Sequence, residues 1–216
     1  MKPLQDIYVN RENAILTIVD MQNKGCVPGG GSYNEFKARI IPPAVAAIKK
    51  LADQARSVGI PVIYIQSVRT THEPEVTVFG LKPYRKIGTW EVEIIDELKP
   101  QPKDVVIQKF CHDPFYKTDL GKILEKLVPD PTKHFAILVG GAINSCLYFG
   151  VMGFYLRNYW TAVVTDGVYY PDEAAKERAL GQFSQKSYPN IFLTRSDLVH
   201  ISADSTVTGS LPIPGD

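Results

Sequence analysis

The chain has 216 residues, with 24 Lys and Arg against 23 Asp and Glu, and its formal net charge is +1. This length predicts that residues 1–216 form one domain with a full hydrophobic core. The near-neutral charge offers no field that would attract nucleic acid or anionic lipid, so we expect a small-molecule partner. No apolar run approaches the roughly 20 residues of a membrane helix. Together these observations predict a cytoplasmic protein with no nucleic-acid or membrane partner.

Six short, apolar runs rich in β-branched residues predict buried strands. These runs lie at residues 14–19, 62–66, 105–108, 135–139, 160–165 and 191–193. The stretches between them predict four helices, which run from Ala44 to Val58, from about Thr118 to Pro129, from Cys146 to about Asn158, and onward from a cap at Asp172. This alternation predicts an α/β fold with a six-stranded, mainly parallel sheet and helices on both faces, a Rossmann-like three-layer arrangement.

Two segments stand apart from this alternation. Residues 69–90 are rich in Thr, Pro and charge and form a predicted insertion between the second and third strands. A polar, turn-rich tail runs from about residue 202 to the end of the sequence. The insertion is interpreted either as a lid over a site, in its own or a neighbouring subunit, or as a solvated loop.

Three chemically active side chains follow predicted strands. Asp20 follows the first strand, Lys109 follows the third, and Cys146 comes after the fourth strand and a Gly-rich turn. Alone, each has a structural interpretation, as a turn residue, a solvent-reaching lysine or a small core side chain. In open parallel sheets, however, ligands bind at the carboxyl ends of the strands. A carboxylate, an ammonium and a thiol at that edge therefore predict a catalytic site.

A cysteine attacks as its thiolate, which a nearby cation, a helix N-terminus or a base favours. The surroundings of Cys146 offer all three, because it begins a predicted helix, Lys109 can supply positive charge and Asp20 can accept the proton. Backbone amides in the preceding turn could hold the oxygen of a tetrahedral intermediate. We therefore expect Cys146 to be a nucleophile with a lowered pKa.

Three segments carry a family resemblance: VDMQN at 19–23, Lys109 with DPFYKTDL at 113–120, and GGAINSC at 140–146. In order and spacing they resemble the signature blocks of the isochorismatase-like cysteine hydrolases, over about residues 13–195. The amidohydrolase branch, which it resembles most, acts on carbamoyl amino acids, biuret-like molecules and ureidoacrylate. The resemblance thus implies cysteine-dependent hydrolysis of a C–N bond in a small linear amide or ureido compound, through a thioacyl-enzyme, with release of ammonia or an amine.

The resemblance also implies a role for each site residue. Asp20 would act as general base, Lys109 would stabilise the thiolate, and Cys146 would attack the carbonyl carbon. A cis peptide is implied between Gly141 and Ala142, and the amides of Ala142 and Cys146 would form an oxyanion hole. This catalytic triad requires no cofactor, and we expect none.

Candidates for substrate binding come from the same segments and from the insertion. An arginine in the insertion would suit a substrate carboxylate or a ureido carbonyl. The candidates are Gln22, Arg69, Phe115, Tyr116 and Asn144.

Other activities remain as alternatives. A nicotinamidase-type reaction is disfavoured because His72 lacks the carboxylate, two residues earlier, of that branch's metal site, and we expect no bound metal. An isochorismatase-type reaction is disfavoured because that branch needs no nucleophilic cysteine. A non-catalytic relative that binds a small molecule or serves in assembly is favoured by Ile143, Gly150 and Gly153, where the family often has other residues. A redox-sensing thiol at Cys146 is a further alternative.

The resemblance and the polar tail predict a homodimer or homotetramer. The sequence identifies neither the specific substrate nor the pathway. At His112, close to Lys109, it favours a solvated turn over contact with substrate.

Overall fold

The computed structural model describes residues 1–81 and 84–206. Positions 82–83 of the predicted insertion and 207–216 of the predicted tail lie outside the described residues. Across the described part the chain forms two parallel sheets. Their strands, in chain order, are β1 (Ile7–Val9), β2 (Ala14–Val19), β3 (Val62–Ser67), β4 (Val105–Lys109), β5 (Phe135–Gly140), β6 (Trp160–Val168), β7 (Ile191–Thr194) and β8 (Val199–Ile201).

The helices fill the connections between these strands. They are α1 (Asn23–Cys26), α2 (Glu35–Val58), α3 (Pro74–Thr77), α4 (Leu120–Leu127), α5 (Cys146–Tyr155) and α6 (Glu173–Phe183), with short 3₁₀ turns at Trp90–Val92, Asp96–Leu98 and Pro131–Lys133. Within 1–81 and 84–206, no helix has both the length and the apolar character that crossing a membrane requires.

The larger sheet has the order β4-β3-β2-β5-β6-β7, and every neighbouring pair of its strands is parallel. The predicted six-stranded parallel sheet is therefore confirmed. Because all six strands run in one direction, their carboxyl ends share one edge, and β2 and β5 lie at its centre. The side chains that follow these strands are brought together at that edge.

Two apolar layers cover the sheet, one on each face. On one face α2 packs against the sheet through Ile41, Ile48 and Leu51. On the other face α4, α5 and α6 pack through residues such as Leu124 and Val151. Strand β2 is buried along its whole length, as expected of a strand covered by helices on both sides. Helices on both faces confirm the predicted three-layer arrangement.

Helix boundaries differ from those expected. Helix α2 begins at Glu35, well before Ala44, because the side chain of Asn34 caps it by accepting a hydrogen bond from the Lys37 amide. Helix α5 ends at Tyr155, short of Asn158, which adopts a left-handed conformation with φ of 63°. The sequence thus predicted that Asn158 would end this segment, but it did not predict that the helix itself ends three residues earlier.

Strands β1 and β8 were not predicted. Each has three residues, and they pair with one another in parallel, in the register Ile7 with Val199 through Val9 with Ile201. The first strand has the burial pattern buried, exposed, buried. Such short segments, far apart in sequence, carry no apolar run that periodicity alone can detect.

Candidate active site

The predicted trio meets at the carboxyl edge of the sheet. Asp20 directly follows β2, Lys109 is the last residue of β4, and Cys146 is the first residue of α5. The Lys109 Nζ lies 3.1 Å from Asp20 Oδ2 and 3.0 Å from Cys146 Sγ. All three side chains are buried. The ammonium thus bridges the carboxylate and the thiol out of contact with bulk water.

The turn that leads to Cys146 has an unusual backbone conformation. Its Gly141–Ala142 peptide is cis, which confirms the peptide geometry that the resemblance implied. A Cβ atom at Gly141 would lie 2.7 Å from the Tyr169 ring, so the turn has no room for a side chain there. The N–H groups of Ala142 and Cys146 find no acceptor among the described residues. These two amides are therefore free to donate to a ligand oxygen.

The acid–base balance of the trio follows from burial and from mutual charge. Burial would raise the pKa of Asp20, but the cations of Lys109 and Arg85 outweigh it and keep the pKa below its usual value. Burial would lower the pKa of Lys109, but Asp20 and Cys146 hold it above its usual value. At neutral pH the carboxylate and the ammonium are therefore both charged.

The thiol behaves differently from the expectation. Burial, followed by the negative charge of Asp20, raises the pKa of Cys146 to about 11, and Lys109 offsets this only in part. The prediction of a lowered pKa was wrong for the resting enzyme, because the sequence showed the cation but not the depth of burial. The free site therefore holds a neutral thiol, and a thiolate forms there only when a base takes up the proton.

Asp20 has an oxygen available for that task. Its Oδ2 accepts hydrogen bonds from both Lys109 and Arg85, at 3.1 and 3.0 Å. Its Oδ1 is buried and has no hydrogen-bond partner among the described residues. A buried carboxylate oxygen without a donor is a suitable proton acceptor.

His112 also lies at the thiol. Although its side chain is partly exposed, as a solvated turn implies, its Nδ1 is 3.2 Å from Cys146 Sγ. Its ring stacks on Phe149, with centroids 6.0 Å apart. Burial and then the Lys109 charge lower its pKa, so the imidazole is neutral at neutral pH. The sequence placed His112 near Lys109 but gave no sign that the loop turns it toward the thiol.

The arginine that reaches the site is Arg85 and not Arg69. Arg69 is fully buried, forms an ion pair with Glu75 at 3.0 Å and donates to the Val68 carbonyl at 2.9 Å. Arg85, from the same insertion, places its Nη1 3.0 Å from Asp20 Oδ2. The signal that could have found it is Gly25, where a Cβ atom would lie 3.9 Å from Arg85 Nη2. That distance is an ordinary contact, so only a side chain larger than Ala at this position after β2 would compete with the guanidinium for space.

The other binding candidates lie in different surroundings. The Gln22 amide is fully engaged, because it donates to the carbonyls of Ser67 and Val92, at 2.9 and 2.7 Å, and accepts from the Ser67 amide at 3.0 Å. Tyr116 is exposed and lines a cavity of about 500 Å³ that also contacts Cys111. Gln22 therefore links the ends of β2 and β3 to the segment that follows the insertion, and Tyr116 lines a cavity that it shares with Cys111.

Phe115 and Asn144 also differ in environment. The Phe115 ring packs edge-on against Phe154, and the Arg157 guanidinium lies 3.7 Å from its centroid. Asn144 is exposed and lines a separate cavity of about 280 Å³ beside Tyr148. Neither residue has a hydrogen bond to the trio. Within residues 1–81 and 84–206, no three or more His, Cys, Asp or Glu side chains cluster as metal ligands.

The fold is that of a known class of hydrolases. An isochorismatase domain model matches residues 14–191 of the chain. The chain therefore belongs to the isochorismatase family, and the predictions of family and of a hydrolytic enzyme are confirmed.

Among curated proteins, the chain is similar to ureidoacrylate amidohydrolases. It is 26% identical over 196 residues to that of Pantoea ananatis, which covers 82% of this chain and 74% of the relative. It is 30% identical over 181 residues to that of Agrobacterium fabrum, which covers 68% of this chain and 77% of the relative.

Solved structures agree on the fold. N-carbamoylsarcosine amidase from Thermoplasma acidophilum is 25% identical, with a TM-score of 0.70 over 86% of this chain and 97% of its own. An isochorismatase-like hydrolase from Alkaliphilus metalliredigens is 20% identical, with a TM-score of 0.73 over 86% of this chain and 96% of its own.

Proposed function

We propose that this enzyme hydrolyses a C–N bond in a small linear amide or ureido compound by nucleophilic attack of Cys146. The observation that carries the proposal is the buried Lys109 ammonium, which lies within 3.1 Å of both Asp20 Oδ2 and Cys146 Sγ. The amidohydrolase relatives support the same reaction class. A redox sensor or a binding protein has no need of a base with a free oxygen beside a buried thiol.

The first half of the reaction acylates the enzyme. The thiol proton passes to Asp20 Oδ1 as Sγ adds to the substrate carbonyl carbon. The amides of Ala142 and Cys146 donate to the oxyanion that forms, and Lys109 balances the negative charge of the trio. The proton on Asp20 then moves to the leaving nitrogen, the C–N bond breaks, and ammonia or an amine departs. A thioacyl group remains on Sγ.

The second half restores the enzyme. A water molecule gives a proton to Asp20 and adds to the thioacyl carbon. The C–S bond breaks, the acid product leaves, and the proton returns from Asp20 to Sγ. The same carboxylate therefore serves as base in both halves, and its low pKa keeps it ready between them.

Ammonia release from a panel of small amides and ureido compounds tests the proposal. The panel is run with the wild-type enzyme, with Cys146→Ala and with a chelator. Cys111→Ala is the matched control, because Cys111 is a partly buried thiol whose carbonyl, and not its sulfur, contacts Lys109 at 3.1 Å. We expect ammonia release by the wild-type enzyme to be unchanged by the chelator. Cys146→Ala should abolish this release, and Cys111→Ala should largely retain it. Equal release by wild type and Cys146→Ala would contradict the proposal.

A further inference from the structure

The site carries more positive than negative charge. The single carboxylate of Asp20 is shared by two cations, since Lys109 and Arg85 both donate to its Oδ2. Neither Cys146 nor His112 restores the balance, because both are neutral at rest. Uncompensated charge is costly in a buried place, so a site of this kind gains stability when it takes up an anion.

The neighbouring charged residues do not cancel this excess positive charge. Lys24 is paired with Glu91 at 2.7 Å, and Arg69 is paired with Glu75 at 3.0 Å, so these pairs are neutral overall. Lys37, by contrast, has no carboxylate partner among the described residues. Its Nζ donates to the Ser32 carbonyl at 2.6 Å and lies over the Tyr169 ring. It therefore adds to the positive potential around Arg85.

The Arg85 guanidinium also has donors that find no acceptor among residues 1–81 and 84–206. Within that part of the chain, its five N–H groups form one hydrogen bond, to Asp20 Oδ2 at 3.0 Å. Its Nε is buried and has no acceptor among the described residues. A guanidinium can hold a carboxylate through two parallel N–H donors, and a buried donor without a partner favours a ligand that supplies one.

The position of Arg85 is fixed by its own backbone. Its N–H donates to Glu91 Oε2 at 3.1 Å, and its carbonyl accepts from the Arg69 amide at 2.8 Å. Gly25 lies opposite, where a side chain larger than Ala would compete with Nη2 for space, as described above. The guanidinium is thus built into the site by the insertion, close enough to interact electrostatically with both Asp20 and Cys146.

We propose that Arg85 is a specificity-determining residue that holds a carboxylate of the substrate beside Cys146, so that the enzyme selects anionic amides or ureido acids over neutral ones. As a statement about substrate choice, the proposal rests on the function proposed above. As a statement about an anion subsite, it can be tested without any turnover.

Alkylation of Cys146 by iodoacetate and by iodoacetamide provides that test. Both reagents react by displacement of iodide by the thiolate, with formation of a C–S bond, and they differ mainly in the negative charge of iodoacetate. The ratio of the two rates therefore cancels the thiol pKa and reports the local attraction for an anion. Rates are measured for the Cys146 peptide by mass spectrometry, with free cysteine in the same buffer as reference.

We expect the iodoacetate-to-iodoacetamide ratio at Cys146 to exceed that of free cysteine by about tenfold or more. Arg85→Met should remove most of this excess, and Arg85→Lys should retain a part of it. Lys86→Met is the matched control, because it removes one positive charge from the exposed neighbouring position of the same segment. That variant should leave the ratio close to the wild-type value.

A ratio at Cys146 equal to that of free cysteine would overturn the proposal, as would an equal fall in Arg85→Met and Lys86→Met. Failure of both reagents to reach Cys146 would overturn it too, because the subsite would then be closed to a carboxylate. If Arg85→Met does not fold, the rate ratios of the wild type and of Arg85→Lys test the proposal without it. An enzyme with the raised ratio but no Cys146-dependent ammonia release would keep the anion subsite and lose the proposed hydrolysis.

Discussion

At the scale of single residues, the proton on Cys146 determines what the site can do. Burial and Asp20 raise the thiol pKa to about 11, while Lys109 and Arg85 hold the pKa of Asp20 low. The resting pair is therefore a thiol beside a carboxylate, and in the proposed reaction the proton crosses between them in the step that forms the C–S bond. In the proposed reaction, the thiol therefore stays protonated until a carbonyl carbon is in place.

Asp20→Asn separates the two effects of this carboxylate. Without its negative charge the pKa of Cys146 falls, so iodoacetamide should alkylate Cys146 faster than in the wild type at pH 8. Turnover should nevertheless fall by about 10²- to 10⁴-fold, because the base is lost. The measurement is a pH profile of alkylation beside a steady-state ammonia assay.

Asp119→Asn serves as the control, since Asp119 is exposed and pairs with Lys122 at the surface. It should change neither the alkylation profile nor the rate. Full turnover by Asp20→Asn would remove Asp20 as the base. Slower alkylation in that variant would contradict the account of the thiol pKa.

At the scale of elements, helix α5 carries the proposed nucleophile, Cys146, and depends on close packing. A Cβ atom at Gly153 would lie 2.6 Å from two ring carbons of Phe115, a ring that is confined by Phe154 and Arg157. A Cβ atom at Gly150 would meet Leu138 at an ordinary 3.5 Å. The two glycines, both departures from the family pattern, thus have different structural roles.

Gly153→Ala and Gly150→Ala form a matched pair on this one helix. We expect Gly153→Ala to lower the free energy of unfolding by about 1–3 kcal/mol through overpacking. Gly150→Ala should raise it by about 0.5–1 kcal/mol, because Ala loses less backbone entropy than Gly in a helix. Urea unfolding monitored by circular dichroism measures both, and shifts of the same sign would contradict this packing.

The elements that hold the trio could be predicted from the sequence because each strand is a compact apolar run that ends at a polar residue. The position of Asp20 after β2 and of Lys109 at the end of β4 follows from such runs. That Arg85 and not Arg69 contacts Asp20 could not be predicted, because composition does not tell which arginine of an insertion reaches the carboxyl edge of the sheet. The difference depends on tertiary contacts, because Arg69 forms an ion pair with Glu75 and Arg85 forms one with Asp20.

At the scale of the whole molecule, the insertion completes the site that the sheet begins. The sheet supplies the trio, the insertion supplies Arg85, and the segment after the insertion supplies the Val92 carbonyl as an acceptor for Gln22. The homodimer or homotetramer and the cytoplasmic location stay predictions.

Interception of the acyl group by hydroxylamine tests the central claim most directly. A thioacyl group on Cys146 would transfer to hydroxylamine as well as to water, so an N-hydroxyurea or hydroxamate should form alongside the normal product from a turned-over ureido compound or amide. We predict that this product forms with the wild-type enzyme, rises with hydroxylamine concentration and is absent with Cys146→Ala. Continued ammonia release with no hydroxylamine product at any concentration would mean that water attacks the substrate directly and would contradict the account.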